Sequence, residues 1–187
     1  MNITIKKCLK RLCELLRVSY SSGEDRIVLA LGFLGIVIKL PKTKVGSRVN
    51  FGEWYFWQKT KHVFCQPTLL CLGLHGLGQK KRFWITIQKL GYRQCDSDPE
   101  EFKIKCSILT KRATEYDDHH FQNPHNFFFD RKNKLVMVDY GSLQTRRVIK
   151  SHGKLLHESF DENIRCTFED LVKMIEMLEG ICLKRKH

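Results

Sequence analysis

Apolar residues change their spacing along this chain, and the changes divide it into elements. In residues 4–16, Ile5, Leu9, Leu12, Leu15 and Leu16 recur at helical spacing and the other face is basic. A short amphipathic helix packed on the domain is predicted there, in preference to one lying on a membrane surface. From Val18 to Leu40 the pattern is that of strands: Arg26–Leu31 and Gly35–Leu40 are apolar runs separated by Gly32-Phe33-Leu34. Asn50-Phe51-Gly52-Glu53 reads as the opening of a helix, with Glu53 near its start. Cys65–Leu77 is apolar and turn-rich, a strand with its connections, and Arg82–Gly91 is another strand.

The second half begins with a helix signal. Asp98 or Ser97 can cap, Pro99 suits the first turn, and Glu100 and Glu101 favour the helix dipole. Phe102, Cys106, Leu109 and Ala113 then mark its inward face. Phe127–Phe129 and Leu135–Val138, joined by the charged Asp130–Lys134, predict a β-hairpin. Residues 143–149 read as polar and basic, with no element assigned. Thr167-Phe168-Glu169-Asp170 resembles a capping box that opens a last helix, with Leu171, Val172, Ile175 and Leu178 as its buried stripe and Gly180 near its end.

Composition narrows the class. A chain of 187 residues is one domain by the usual prior, and 42% hydrophobic residues make it globular. The eight cysteines contain no C-x-x-C pair, which argues against zinc ribbons and redox motifs. With no secretory signal and no apolar run long enough to span a bilayer, a reduced, cytoplasmic protein is expected, of the producing cell or of a host cell. The formal net charge of +13 favours polyanionic partners. No nucleic-acid motif accompanies it, so general anion attraction is preferred to a dedicated nucleic-acid surface.

Two places carry candidate chemistry. Lys39 lies between Ile38 and Leu40 in an apolar strand, where an ammonium group needs an anion. The stretch Asp117–Ser142 places acids, amides and histidines at both open ends of the predicted hairpin, a setting that suits Mg²⁺ because a hard cation wants a few carboxylate or amide oxygens. A zinc-type hydrolase using His119, His120 and His125 with Asp117 or Asp118 is the alternative from ligand types alone, without any H-E-x-x-H spacing.

Asp139-Tyr140-Gly141 after the hairpin, with Asn126 thirteen residues earlier, resembles the metal-binding and catalytic loops of the protein kinase-like fold. In that register His119 stands for the motif's His and Pro124 for its loop proline, while Phe121 occupies the place of the catalytic Asp. A second register matches the Asp-x-His-x-x-Asn variant of phage and small-molecule kinases through Asp118, His120 and Asn123, leaving three extra residues before the hairpin. The reading adopts Asp118 as base, with Asp117 as its substitute, and keeps Asn123, Asn126 and Asp139 as metal ligands. Lys39 resembles the lysine of Val-Ala-Ile-Lys, and Glu53 its helix partner. Ser22 and Gly23 would cover phosphates without a G-x-G-x-x-G motif, and Gln88 and Leu90 would lie at the hinge that holds adenine.

The resemblance implies an α+β, two-lobed protein kinase-like fold: an antiparallel N-lobe sheet over about residues 1–88 and a reduced helical C-lobe over about 89–187, without an Ala-Pro-Glu motif. It implies ATP with Mg²⁺ or Mn²⁺, and transfer of the γ-phosphoryl group to a protein hydroxyl in the manner of a Ser/Thr kinase. A pseudokinase acting as a basic binding module is the main alternative, and a small-molecule kinase a further one.

Overall fold

A computed structural model describes residues 18–75, 82–111, 119–163, 167, 169–170, 172–173 and 175–176. The chain is α+β with antiparallel sheets, and its contacts fall into two units. The first takes in the described residues of 1–61 and 66–90; the second takes in 62–65 and those from 91 onward. The predicted helix at residues 4–16 lies outside the described residues.

In the first unit, β1 (Ser19–Ser22), β2 (Arg26–Leu31) and β3 (Ile36–Pro41) form an antiparallel meander. Helix α1 (Lys44–Thr60) follows, and then β4 (Thr68–His75) and β5 (Arg82–Lys89) complete a sheet of order β1-β2-β3-β5-β4. The Thr43 side chain caps α1 by accepting the Gly46 N–H at 3.1 Å. The helix ends where Lys61 turns left-handed and returns its N–H to the Trp57 carbonyl. It therefore starts six residues before Asn50, and Glu53 sits in its third turn, too far in to complement the N-terminal dipole. The early start is hidden in the sequence because α1 buries a polar face: Gly46, Ser47, Asn50, Gly52 and Glu53, with Phe56. Three of those residues bond to the sheet. Ser47 Oγ accepts the Trp84 N–H at 2.9 Å, and Asn50 Nδ2 donates to the Trp84 carbonyl at 2.8 Å and the Lys39 carbonyl at 3.0 Å. Glu53 is the third, through Lys39. A Cβ on Gly46 would lie 2.2 Å from the Asp25 carbonyl oxygen, so the first turn of α1 packs backbone to backbone on the β1–β2 turn.

The second unit contains a sheet of order β6-β7-β8 made of β6 (Arg93–Gln94), β7 (Phe127–Phe129) and β8 (Leu135–Met137). The hairpin pairs Phe127 with Met137 and Phe129 with Leu135. Its turn is held by Asp130 Oδ1, which accepts the N–H groups of Lys132 and Lys134, with Asn133 left-handed at φ 56°. Helix α2 (Pro99–Thr110) is capped by Asp98 through the N–H groups of Glu100 and Glu101, and it buries Phe102 and Cys106 fully. Leu109 is half-buried, and Ala113 lies outside the described residues. The single turn α3 (His119–Gln122) precedes a 3₁₀ turn at Pro124–Asn126.

The stretch read as polar and basic is in fact helix α4 (Leu143–Ser159), capped by Ser142 on the Thr145 N–H. Thr145, Val148, Ile149, Gly153 and Leu156 form its buried stripe. Arg146, Arg147, Lys150 and Lys154 interrupt that stripe in the sequence, which disguises its period. Phe64, Phe102, Phe121, Phe127 and Phe129 make the core of the unit, each at most 1% exposed. At the C-terminal end Thr167 and Asp170 cap reciprocally, each side chain accepting the other's N–H. However, Val172 and Ile175 are 36% and 50% exposed, so the expected buried stripe does not hold at those two positions. Leu171, Leu178 and Gly180 lie outside the described residues.

Candidate functional site

Strand pairing brings the first set of residues together. Lys39 of β3 lies opposite Thr86 of β5, which lies opposite Cys71 of β4, so the three side chains form one row across the face that meets α1. Lys39 is 3% exposed and Glu53 fully buried, with Lys39 Nζ to Glu53 Oε2 at 2.7 Å. Arg26, from β2, reaches the other carboxylate oxygen at 2.8 Å and Asn50 Oδ1 at 3.4 Å. Glu53 thus accepts two charge-assisted hydrogen bonds, one at each oxygen. Burial, followed by the Glu53 charge, pushes the Cys71 thiol up to about 11. Thr86 Oγ1 is buried and makes no hydrogen bond among the described residues.

The remaining candidates of the first unit are bonded locally. Ser22 is exposed at the end of β1. Gly23 donates its N–H to the Arg26 carbonyl at 3.0 Å, and its carbonyl accepts Lys42 Nζ. Gln88 is 1% exposed, and its amide donates to the Gln66 carbonyl at 3.3 Å. Leu90 donates its N–H to the Gly35 carbonyl at 2.9 Å and accepts from Gln66 Nε2 at 2.8 Å. Both backbone groups that would meet an adenine at Leu90 are engaged in this geometry.

In the second unit the hairpin brings Asn126 and Asp139 to its open end, because Asn126 enters β7 and Asp139 leaves β8. The Val138 N–H donates to the Asn126 carbonyl at 2.9 Å, which fixes the two segments side by side. Asn126 Nδ2 donates to the His120 carbonyl at 3.0 Å, and His120 Nε2 lies 3.8 Å from Asp139 Oδ2. Asn126, His120 and Asp139 therefore form one cluster. Asn123 is exposed and caps the 3₁₀ turn, its Oδ1 accepting the His125 N–H at 3.0 Å. Asp117 and Asp118 lie outside the described residues.

The donor set can be tested against a metal. No described residue bonds Asn126 Oδ1, so that amide oxygen and the Asp139 carboxylate supply two hard oxygen donors. Two such donors suit Mg²⁺ when waters and phosphate oxygens complete its shell. Of the residues in the zinc alternative, Asp117, Asp118 and the side chain of His119 lie outside the described residues. His125 engages Gln94 Nε2 through its Nδ1, and no group of three His, Cys, Asp or Glu residues placed to hold a metal occurs among the described residues.

Sequence reasoning missed Arg26 and Asn50. The signal for Arg26 is its place two residues before Val28, the residue paired with Lys39, which puts it on the same sheet face. The signal for Asn50 is its position three residues before Glu53, on the same helix face.

Among the described residues no helix is long and apolar enough to cross a membrane. No family model matches the chain, and no curated protein is significantly similar to it.

Proposed function

We propose that this chain is an ATP-dependent phosphotransferase on a reduced, two-lobed protein kinase-like fold, transferring the γ-phosphoryl group to a protein hydroxyl. The observation that carries the reading is the buried Lys39–Glu53 pair, which ties the third strand of a β1-β2-β3-β5-β4 sheet to the helix between β3 and β4. A lysine held in this way presents a fixed cation to polyphosphate, and Glu53 sets its direction. In the second unit Asp139 and Asn126 would hold Mg²⁺ or Mn²⁺. The metal would neutralise charge between the phosphates. Asp118 would take the proton of the acceptor hydroxyl as its oxygen bonds the γ-phosphorus, the bond from that phosphorus to the bridging oxygen breaks, and ADP leaves.

A second reading is favoured by Phe121. If Asn126 is the metal ligand, Phe121 occupies the place of the proton acceptor. It is fully buried, 5.6 Å from the Phe127 ring centroid and 6.5 Å from that of Phe64. A hydrocarbon ring there takes no proton, and without Asp118 serving from outside that register the chain would bind nucleotide without transferring phosphate.

Incubation with labelled ATP, Mg²⁺ or Mn²⁺ and a generic protein acceptor separates the two readings. Label on protein that is lost in Asp139→Ala and Lys39→Met supports the phosphotransferase, and loss in Asp118→Ala identifies the base. A rise in melting temperature with ATP but no label supports the second reading. The absence of both label and an ATP-dependent shift would refute both.

A further inference from the structure

Helix α1 inverts the usual arrangement of a surface helix. Its inward face carries Gly46, Asn50 and Glu53, whereas Phe51 and Tyr55 lie outward. Amphipathic helices of globular proteins do the reverse, burying apolar groups and exposing polar ones. Lys44, Arg48, Phe51, Tyr55 and Lys59 follow one another at intervals of three or four residues, so they share one face of α1. Lys44, Arg48 and Lys59 are exposed, Tyr55 is 47% exposed, and Phe51 is half-buried.

The rings on this face form a connected platform. Phe51 lies 6.0 Å from Tyr55, with the two planes 22° apart, and 4.9 Å from Trp84 of β5, which is itself half-buried. Lys59 Nζ stands 5.8 Å from the Tyr55 ring centroid. Among the described residues no carboxylate pairs with Lys44, Arg48 or Lys59, and Glu53, the one acid of α1, is turned inward. The face therefore combines cations that have no counter-charge with open aromatic rings. No sequence motif marks it, because the helical period and not a contiguous run gathers its groups.

We propose that this face binds single-stranded nucleic acid, with phosphates on Lys44, Arg48 and Lys59 and bases stacked against the rings of Phe51, Tyr55 and Trp84. Cations interleaved with aromatics suit a flexible strand, since its phosphates supply the charge and every base has a π-face. These contacts use groups that DNA and RNA strands share. Charge decides against two other occupants. A second copy would set Lys44, Arg48 and Lys59 against their own kind. Residues 1–17 carry Lys6, Lys7, Lys10, Arg11 and Arg17 against Glu14 alone, so like charge opposes that segment too. An acidic polypeptide satisfies the cations, but its carboxylates offer nothing to the rings.

The test is fluorescence anisotropy of labelled oligothymidine and oligouridine, each of about 12 nucleotides, with the full chain. ATP and Mg²⁺ are left out, so the result is independent of the phosphotransferase reading. Saturable binding of both strands is expected, with a dissociation constant of about 1–100 μM at physiological salt. Tyr55→Ala should raise that constant at least about fivefold, while Tyr55→Phe keeps it within about twofold. Arg48→Gln should reduce the slope of log K against log salt by about 0.7. Far-UV circular dichroism checks the fold of each variant, and Arg48→Gln, a change at an exposed side chain, decides should Tyr55→Ala fail to fold. The absence of binding up to about 100 μM, binding that either folded variant leaves unchanged, or equal displacement by polyglutamate overturns the proposal.

Discussion

Replacing Glu53 by Gln should cost more stability than replacing Lys39 by Met, although both changes break the same ion pair. Glu53 is fully buried and accepts from Lys39 at 2.7 Å and from Arg26 at 2.8 Å. Each charge-assisted hydrogen bond of this kind contributes roughly 1.5–3 kcal/mol. The substituted amide would keep one carbonyl acceptor but turn an N–H₂ donor toward the second cation, in a place where water cannot compensate. Removing one partner of a buried pair costs about 3–5 kcal/mol, and the retained acceptor puts Glu53→Gln near about 3–4 kcal/mol. Lys39→Met leaves the carboxylate with Arg26 and fills the space with hydrocarbon, so about 1–2 kcal/mol is expected. Urea unfolding read by tryptophan fluorescence measures both, since Trp54, Trp57 and Trp84 all lie in the first unit. With m unchanged, the midpoints should order as wild type, Lys39→Met, Glu53→Gln, from highest to lowest. A Glu53→Gln cost below about 1 kcal/mol, or a larger cost for Lys39→Met, would refute the account of one carboxylate holding two cations.

Gly46→Ala should destabilise by about 1–3 kcal/mol in the same assay, despite the better helix propensity of alanine, because the new Cβ meets the Asp25 carbonyl oxygen. Cys71 should react with iodoacetamide at pH 8 about a hundredfold more slowly than an ordinary thiol, given its thiol pushed up to about 11, and Glu53→Gln should speed it; mass-spectrometric labelling rates check both. The His62 imidazole is held below its usual 6.5 by burial and then by His157, and its Nδ1 accepts the Phe64 N–H at 3.2 Å. The unfolded chain therefore takes up a proton that the fold resists, so His62's contribution to stability is intact above pH 6.5 and falls as the pH drops below it. Denaturation midpoints at pH 7.5 and 5.5 should differ less in His62→Gln than in wild type.

The legible parts of this sequence are those where one local rule acts alone. The meander, the hairpin and the start of α2 are readable because strand alternation, a charged turn and an Asp-Pro cap each act within a few residues. Helix α1 is misplaced by its pattern because its buried face carries Ser47, Asn50 and Glu53, polar groups that are satisfied only by strands far away in the chain. Helix α4 escapes notice for the reverse reason: its apolar stripe is regular, but Arg146, Arg147, Lys150 and Lys154 fill the turns between and dominate the composition. The expected stripe at Val172 and Ile175 shows the limit of periodicity itself, which marks a face without saying what covers it.

The same distinction separates the two asparagines. Spacing to Asp139 and to Asp118 leaves Asn123 and Asn126 equivalent, since each satisfies one motif register. Their local bonds separate them. Asn123 opens a 3₁₀ turn containing Pro124 and commits its Oδ1 to the cap. Asn126 commits only its Nδ2, to the His120 carbonyl, and stands across the ladder from the strand that leads to Asp139. Binding a cation through Asn123 would forfeit a cap worth about 1 kcal/mol, whereas binding through Asn126 forfeits nothing in the described structure. That difference favours the register in which Phe121 replaces an acid. If Asn126→Ala abolishes the Mg²⁺ dependence of ATP binding and Asn123→Ala leaves it intact, a proton acceptor must come from outside that register, from Asp117 or Asp118, or phosphate is not transferred at all.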